Sequence, residues 1–161
     1  MSTSLSIDQI VAAVRDLEGA LVVAPAAGDP AFPELAWGDA FFYYAPDGQM
    51  PRTVQPYGTI VTKNYPDDAA SDLDAAGRWR VNVHVDRATF QELASERTRE
   101  VALDPAAPDV VQPHPVYGSA GWIAVVNPGR ETGDTVLRLL REAHEAARAR
   151  FNRRGGLHPG S

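Results

Sequence analysis

The sequence contains no cysteine and no long hydrophobic run. Without cysteine the chain has no disulfide bonds, thiolate nucleophiles, iron–sulfur clusters or cysteine-ligated zinc. A transmembrane helix needs roughly 20 consecutive apolar residues, and no stretch approaches that length. Residues 1–4 carry neither the basic nor the apolar region of a secretion signal. We therefore expect a cytoplasmic protein that does not cross a membrane.

The chain has 161 residues, of which 44% are hydrophobic and 22% charged. These values are typical of one soluble domain that is large enough to bury a core of its own. We expect a single domain over residues 1–161, with an ordered core over 5–152 and a flexible tail over 153–161.

The net charge of −6 is unevenly distributed. The acidic balance argues against a general nucleic-acid coat protein. Residues 136–154 nevertheless hold six arginines and two glutamates, a local balance of +4, which leaves −10 for the rest. Basic side chains favour the C-terminal end of a helix through the helix dipole, so this cluster is interpreted first as helix chemistry.

Hydrophobic periodicity and turn residues predict the elements. Ser6 and Gln9 have capping-box spacing, which predicts a helix that begins at Ile7 and ends at Gly19. Asp86 is a suitable cap for a second helix over 87–98, and the closing helix should begin near Thr132. Strands are predicted at 20–24, 40–45, 58–64, 79–85 and 122–126. The four prolines of segment 104–115 predict a long loop there.

Segment 79–85 is the most informative part of the chain. Its strict alternation places Trp79, Val81 and Val83 on one face of a strand and polar side chains on the other. Such a strand belongs to a sheet that helices cover on one face only. The fold class is therefore α/β (α+β), an antiparallel meander of about five strands with helices on one face, in the order α-β-β-β-β-α-β-α.

The polar face of this sheet is the candidate site, and we expect it to be open to solvent or to a partner. The residues that are predicted to bind there are Lys63, Arg80, Asn82, His84 and His114. A cationic sheet that also carries aromatic side chains, here one pair from Phe41–Tyr44, suits an anionic ligand or nucleic acid. The leading hypothesis is a small non-catalytic binding domain that needs no cofactor and no metal. A homodimer that buries the same face is one alternative.

The other alternative is a hydrolase or metal-dependent enzyme that uses His84, His114 and Ser119. Segment 118–121, Gly-Ser-Ala-Gly, lacks the G-x-S-x-G pattern of a nucleophile elbow. The histidines show no HxH or HxxxH metal spacing. The aspartates at 67, 68, 72 and 74 are interpreted as a solvated loop, because they lack the glycine and glutamate of a calcium loop.

Several short motifs carry a resemblance to known families. They are Trp37-Gly38 before Phe41-Phe42-Tyr43, the strand 79–85 that leads into a helix, Trp122-Ile123-Ala124-Val125, and a closing helix with Leu139, Leu140 and His144. Together they resemble an uncharacterised domain-of-unknown-function family of high-GC bacteria. More distantly the chain looks like the MmcQ/YjbR group, which implies a CyaY-like (frataxin-like) two-layer sandwich.

The MmcQ/YjbR resemblance implies a double-wing arrangement that has been suggested to bind DNA. Many members of that group have a basic, histidine-containing approach to the second tryptophan. In this chain the approach is Tyr117-Gly118-Ser119-Ala120-Gly121, which carries no positive charge. The first helix has only Asp8, Asp16 and Glu18, which do not form the acidic ridge of iron-binding frataxins.

Overall fold

A computed structural model describes residues 5–98 and 104–156. The described helices are α1 (Ile7–Arg15), α2 (Arg87–Thr98) and α3 (Gly133–Gly156). The described strands are β1 (Ala20–Val23), β2 (Ala40–Tyr44), β3 (Gly58–Val61), β4 (Arg80–His84), β5 (Gln112–Pro113) and β6 (Trp122–Val126). The α+β class and the order of the long elements are confirmed. None of the helices within these residues is long and apolar enough to cross a membrane.

The capping box of α1 forms as predicted. The Ser6 hydroxyl accepts from the Gln9 backbone N–H at 3.1 Å, and the Gln9 side chain accepts from the Ser6 N–H at 2.9 Å. The helix ends at Arg15 rather than at Gly19. Gly19 instead adopts a φ of +75° immediately before β1, a left-handed conformation that favours glycine.

All strand pairs are antiparallel, in the order β1-β2-β3-β4-β6-β5. This described sheet has six strands where about five were predicted. The additional strand, β5, lies in the proline-rich segment that was predicted to be a loop. Gln112 and Pro113 pair with Ala124 and Ile123 at the sheet edge, where a proline without an N–H is tolerated.

The helices α1 and α3 bury one face of the sheet. The core combines Val81 and Val83 of β4 with Ile10 and Val14 of α1 and with Leu139 of α3, among others. The alternation of β4 therefore places its valines as predicted. Helix α3 continues to Gly156, four residues into the segment predicted as a tail, and residues 157–161 lie outside the described part.

The opposite face of the sheet, called here the far face, is not open as predicted. Arg80 is 1% exposed and Asn82 is 4% exposed. The loops 62–79 and 114–121 contact this face, since Arg80 bonds to Asp68 and Ser71 of the first loop and contacts His114 of the second. The sequence pattern identified the face correctly, but the polar side chains are buried beneath loops.

Candidate ligand-binding site

A cavity of about 530 Å³ lies between the far face and these loops. Strand register forms its floor, because Phe41 pairs with Thr59 and Thr59 pairs with Asn82, which places the three side chains in one row. Trp122 of β6 also lines it, as do loop residues at its sides. Those loop residues are Gln55, Pro56, Tyr65, Asp67, Asp68, His114, Tyr117 and Ala120.

The Arg80 guanidinium is held on all three nitrogens. Its Nε donates to Asn82 Oδ1 at 2.8 Å, and its Nη1 donates to Asp68 Oδ1 at 3.1 Å and to Ser71 Oγ at 3.0 Å. Its Nη2 donates to the second oxygen of Asp68. A buried guanidinium needs such a paired carboxylate, because an uncompensated buried charge is strongly unfavourable.

The charges of this pair determine the state of the Asp68 carboxyl. Burial alone raises the pKa of Asp68, but the hydrogen bonds and positive charge of Arg80 outweigh that effect and lower it. Asp68 is therefore ionised at neutral pH, and the Arg80–Asp68 pair has no net charge.

His114 packs against this pair as a neutral ring. Its Nδ1 accepts from the backbone N–H groups of Val116 and Tyr117, each at 3.0 Å. The ring proton therefore lies on Nε2, which faces Asp68 Oδ2 at 3.5 Å and Arg80 Nη2 at 3.1 Å. Two donors cannot bond to each other, so Nε2 and Nη2 both turn toward the carboxylate. Burial and the Arg80 charge lower the pKa of His114 to about 4, against the opposing effect of Asp68.

The floor of the cavity keeps unused hydrogen-bonding capacity. One N–H of the Asn82 amide donates to Thr59 Oγ1 at 2.9 Å, while its oxygen accepts from Arg80. Because Thr59 Oγ1 is the acceptor there, its own hydroxyl hydrogen is available to donate. Within the described residues, neither this hydrogen nor the second Asn82 N–H has a protein partner.

Aromatic side chains form much of the remaining lining. Tyr65 is fixed because its hydroxyl donates to Asp39, and burial together with this bond raises the pKa of Tyr65 above its ordinary range. The Tyr117 ring lies 5.0 Å from the His114 ring and is half exposed at the rim. Phe41 and Trp122 complete the set. Such a lining suits a flat ligand.

A model of a family of unknown function, DUF6194, matches residues 5–156. The chain belongs to this family. No curated protein and no solved structure matches it. DUF6194 carries no assigned activity, and the matched residues include every residue that lines the cavity.

The structure brings together three of the five residues that were predicted to bind. Arg80, Asn82 and His114 line the cavity, but Arg80 and His114 are occupied by contacts with each other and with Asp68. The predicted cationic character is therefore neutralised there. These residues shape the cavity wall rather than present a free positive charge.

Lys63 lies apart from the cavity because β3 ends at Val61, two residues earlier. Its ammonium donates to the backbone oxygens of Leu35 at 2.7 Å and Trp37 at 2.9 Å, and to Asp39 at 3.0 Å. All three of its donors are used within the protein. Lys63 therefore connects the loop before β2 to the segment after β3 through hydrogen bonds.

His84 lies on the far face but outside the cavity lining. Its Nε2 is 3.1 Å from the backbone oxygen of Ala120, to which it donates, and its ring lies 5.5 Å from the Trp122 ring. Ser119, in the 3-10 turn Gly118–Ala120, is exposed. Neither the His84 ring nor the His114 ring forms a hydrogen bond with Ser119. Over the described ranges no group of three or more histidine, aspartate or glutamate side chains could hold a metal ion.

Sequence reasoning missed Asp68, Tyr65 and Tyr117. Asp68 was interpreted as part of a solvated acidic loop, but it is the counter-ion of Arg80. The only nearby feature that could have indicated a structural role for Asp68 was Ser71, three residues later, which also bonds to Arg80. Tyr65 and Tyr117 lie outside the long strands, so no hydrophobic alternation indicated which way their side chains face.

Proposed function

We propose that the protein is a small non-catalytic binding domain that holds a flat, uncharged molecule in the far-face cavity. The observation that carries the proposal is the combination of an aromatic lining with a floor that has unused donors at Thr59 and Asn82. A volume of about 530 Å³ falls within the range of small-molecule sites, which is about 300 to 1,000 Å³.

The charge around the cavity favours a neutral ligand over the expected anion or nucleic acid. Arg80 is the only arginine or lysine in the lining of the described cavity, and Asp68 neutralises it. Asp67, which is exposed, adds a negative charge. An anion that entered would meet no free cation and one carboxylate, which opposes binding.

The finer relationships inferred from the sequence belong to the same proposal. A helix, a meander sheet and a closing helix support the distant MmcQ/YjbR-like, CyaY-like relationship. The lack of cysteine supports a cytoplasmic location. Homodimer formation stays a prediction that a mass measurement in solution tests.

The test uses four small probes: indole, nicotinamide and uracil, which are flat and uncharged, and benzoate, which is flat and anionic. Binding is followed by amide chemical shifts of the 15N-labelled protein. We expect saturable shifts at Thr59, Asn82 and Trp122 with at least one uncharged probe, and weaker binding of benzoate. The proposal is contradicted if none of the uncharged probes saturates these shifts by about 10 mM, a concentration that covers even very weak sites.

Two variants locate the binding. Tyr117→Ala removes an aromatic wall and should weaken the bound probe about tenfold, the upper end of what one aromatic contact contributes. Thr59→Val removes a hydroxyl with little change of shape and should weaken probes that carry a carbonyl or ring nitrogen. Val116→Ala is the matched control, because Val116 is also exposed in the same turn, at 40% against 49% for Tyr117, but does not line the cavity. If all three variants bind the probe with equal affinity, the probe binds outside the far-face cavity.

A further inference from the structure

A second cavity of about 480 Å³ lies next to the far-face cavity. It is formed between the loop 45–57 and the C-terminal half of α3, and is called here the helix groove. Gln55 lines both this groove and the far-face cavity, so the two are adjacent but have otherwise separate linings. The proposed function makes no use of the helix groove.

The helix groove is lined by more positive than negative side chains, although the protein has a net charge of −6. Arg150 and Arg154 from α3 and Arg52 from the facing loop line it, against the single carboxylate of Asp47. Within the described residues none of these three arginines forms a salt bridge, whereas other arginines of α3 have acidic partners. Arg138 pairs with Glu142 at 3.6 Å and Arg148 with Glu145 at 3.4 Å.

The helix dipole accounts for part of this arrangement but not for all of it. Arginine near a helix C-terminus is favourable, which explains Arg150 and Arg154 individually. Two like charges at i and i+4 repel each other, however, and Arg52 adds a third positive charge to the same groove from a different element. Three arginines that line one cavity and form no salt bridge with the described part of the chain are typical of a site for an anion.

The groove also offers exposed apolar surface beside the charge. Met50 is 51% exposed and Phe151 is 40% exposed, and both line the groove. The Phe151 ring packs edge-on against Tyr44, with centroids 5.2 Å apart and an interplanar angle of 70°. This contact holds one aromatic ring at the wall while much of its surface faces the groove. A ligand with a flat ring can pack there.

We propose that the helix groove binds a small phosphate-bearing molecule with a planar ring, of the nucleotide class. The arginines hold the phosphate groups, since a guanidinium matches phosphate geometry with paired N–H groups. The ring packs against Phe151 and Met50. This site differs in charge from the far-face cavity and is independent of it.

The experiment compares ADP, adenosine and pyrophosphate by isothermal titration with the full chain. ADP should bind more tightly than either fragment, because only ADP uses both the arginines and the apolar wall. Its affinity should fall as salt rises from about 50 to about 200 mM, as expected for an exposed ion contact. Absence of saturable ADP binding by about 10 mM overturns the proposal. Equal binding of adenosine overturns the role of the arginines, and equal binding of pyrophosphate overturns the role of the ring.

Charge-matched variants assign the site. Arg150→Gln with Arg154→Gln should weaken ADP at least about tenfold, because each removes a charge-assisted contact. Arg138→Gln with Arg141→Gln, on the same helix but outside the groove lining, changes net charge equally and should change the affinity less than about twofold, since distant exposed charges are screened. A similar loss in both double variants would indicate general charge attraction and contradict the site. Thr59→Val should leave ADP binding unchanged, which separates this result from the far-face cavity.

Discussion

Asp68 binds the Arg80 guanidinium with both carboxylate oxygens, although the two residues are twelve positions apart in the sequence. Both residues line the far-face cavity. Because both side chains are almost fully buried, each depends on the other for compensation of its charge.

The first prediction concerns this dependence. Asp68→Leu leaves a buried guanidinium without its carboxylate and should lower the free energy of unfolding by about 3 to 5 kcal/mol. The double variant Asp68→Leu with Arg80→Met replaces both charges with apolar groups. Its free energy of unfolding should fall by less than that of the single variant. Urea unfolding measures both values. If the double variant is the less stable of the two, the interpretation of the pair as mutually compensating is wrong.

The second prediction is a pH dependence that originates at His114. Its pKa is about 4 in the folded protein and near 6.5 when the chain is unfolded. Between these values the unfolded state binds more protons, so stability is complete above about pH 6.5 and falls as pH decreases toward about 4. The lowered pKa of Asp68 adds a further loss at still lower pH. Urea unfolding at a series of pH values measures the slope.

His114→Asn provides the comparison for that slope. The asparagine oxygen takes the position of Nδ1 and can accept from Val116 and Tyr117, but it does not titrate. The variant should therefore fold and should show a shallower decrease of stability between pH values of about 6.5 and 4. An unchanged slope would assign the titration to other groups.

The third prediction concerns Asp109, which bonds to the segment 129–132 immediately before α3. Its carboxylate accepts from the backbone N–H groups of Gly129, Glu131 and Thr132 at 2.8 to 3.0 Å and from the Thr132 hydroxyl at 2.6 Å. Although burial opposes it, these bonds lower the pKa of Asp109. Asp109→Ala should lower the free energy of unfolding by about 1 to 3 kcal/mol, as expected when part-buried N–H groups lose their acceptor. Asp109→Asn keeps one acceptor oxygen, so its free energy of unfolding should fall by less than that of Asp109→Ala. Urea unfolding measures both values.

The fourth prediction contrasts two glycines. A Cβ at Gly58 would lie 2.9 Å from Leu140 Cδ2, 3.1 Å from Phe42 Cδ2 and 3.3 Å from the Asn82 backbone oxygen, so Gly58→Ala forces these packed core groups to shift. We expect a loss of about 1 to 3 kcal/mol. A Cβ at Gly133 meets only Leu5 at 3.9 Å. Gly133→Ala should therefore be neutral or stabilising by up to about 1 kcal/mol, as measured by thermal unfolding of both variants.

Local patterns predicted the parts of the fold that depend on neighbouring residues. The capping box of Ser6 and Gln9, the alternation of β4 and the bounds of α2 and β6 all follow from contacts within a few positions. The edge strand β5 was not predictable in this way. Its two residues pair with β6 because the chain returns along the sheet, and prolines on both sides hid that signal.

The candidate site was only partly predictable for the same reason. Alternation placed Arg80 and Asn82 on the correct face, but it contains no information about what covers that face. Asp68, which neutralises Arg80, and His114, which contacts it, are 12 and 34 positions away in irregular segments. Such long-range partners are set by loop paths, which no short periodicity encodes.

The proline in β5 has a consequence for how molecules of this protein behave at high concentration. An edge strand with free N–H and C=O groups is a template to which a strand from another molecule can add. The His114 N–H donates to the Trp122 backbone oxygen, so by antiparallel alternation Pro113 stands at the outward-facing position and offers no N–H there. The strand β5 is also only two residues long. At this edge the sheet resists growth into fibrillar aggregates.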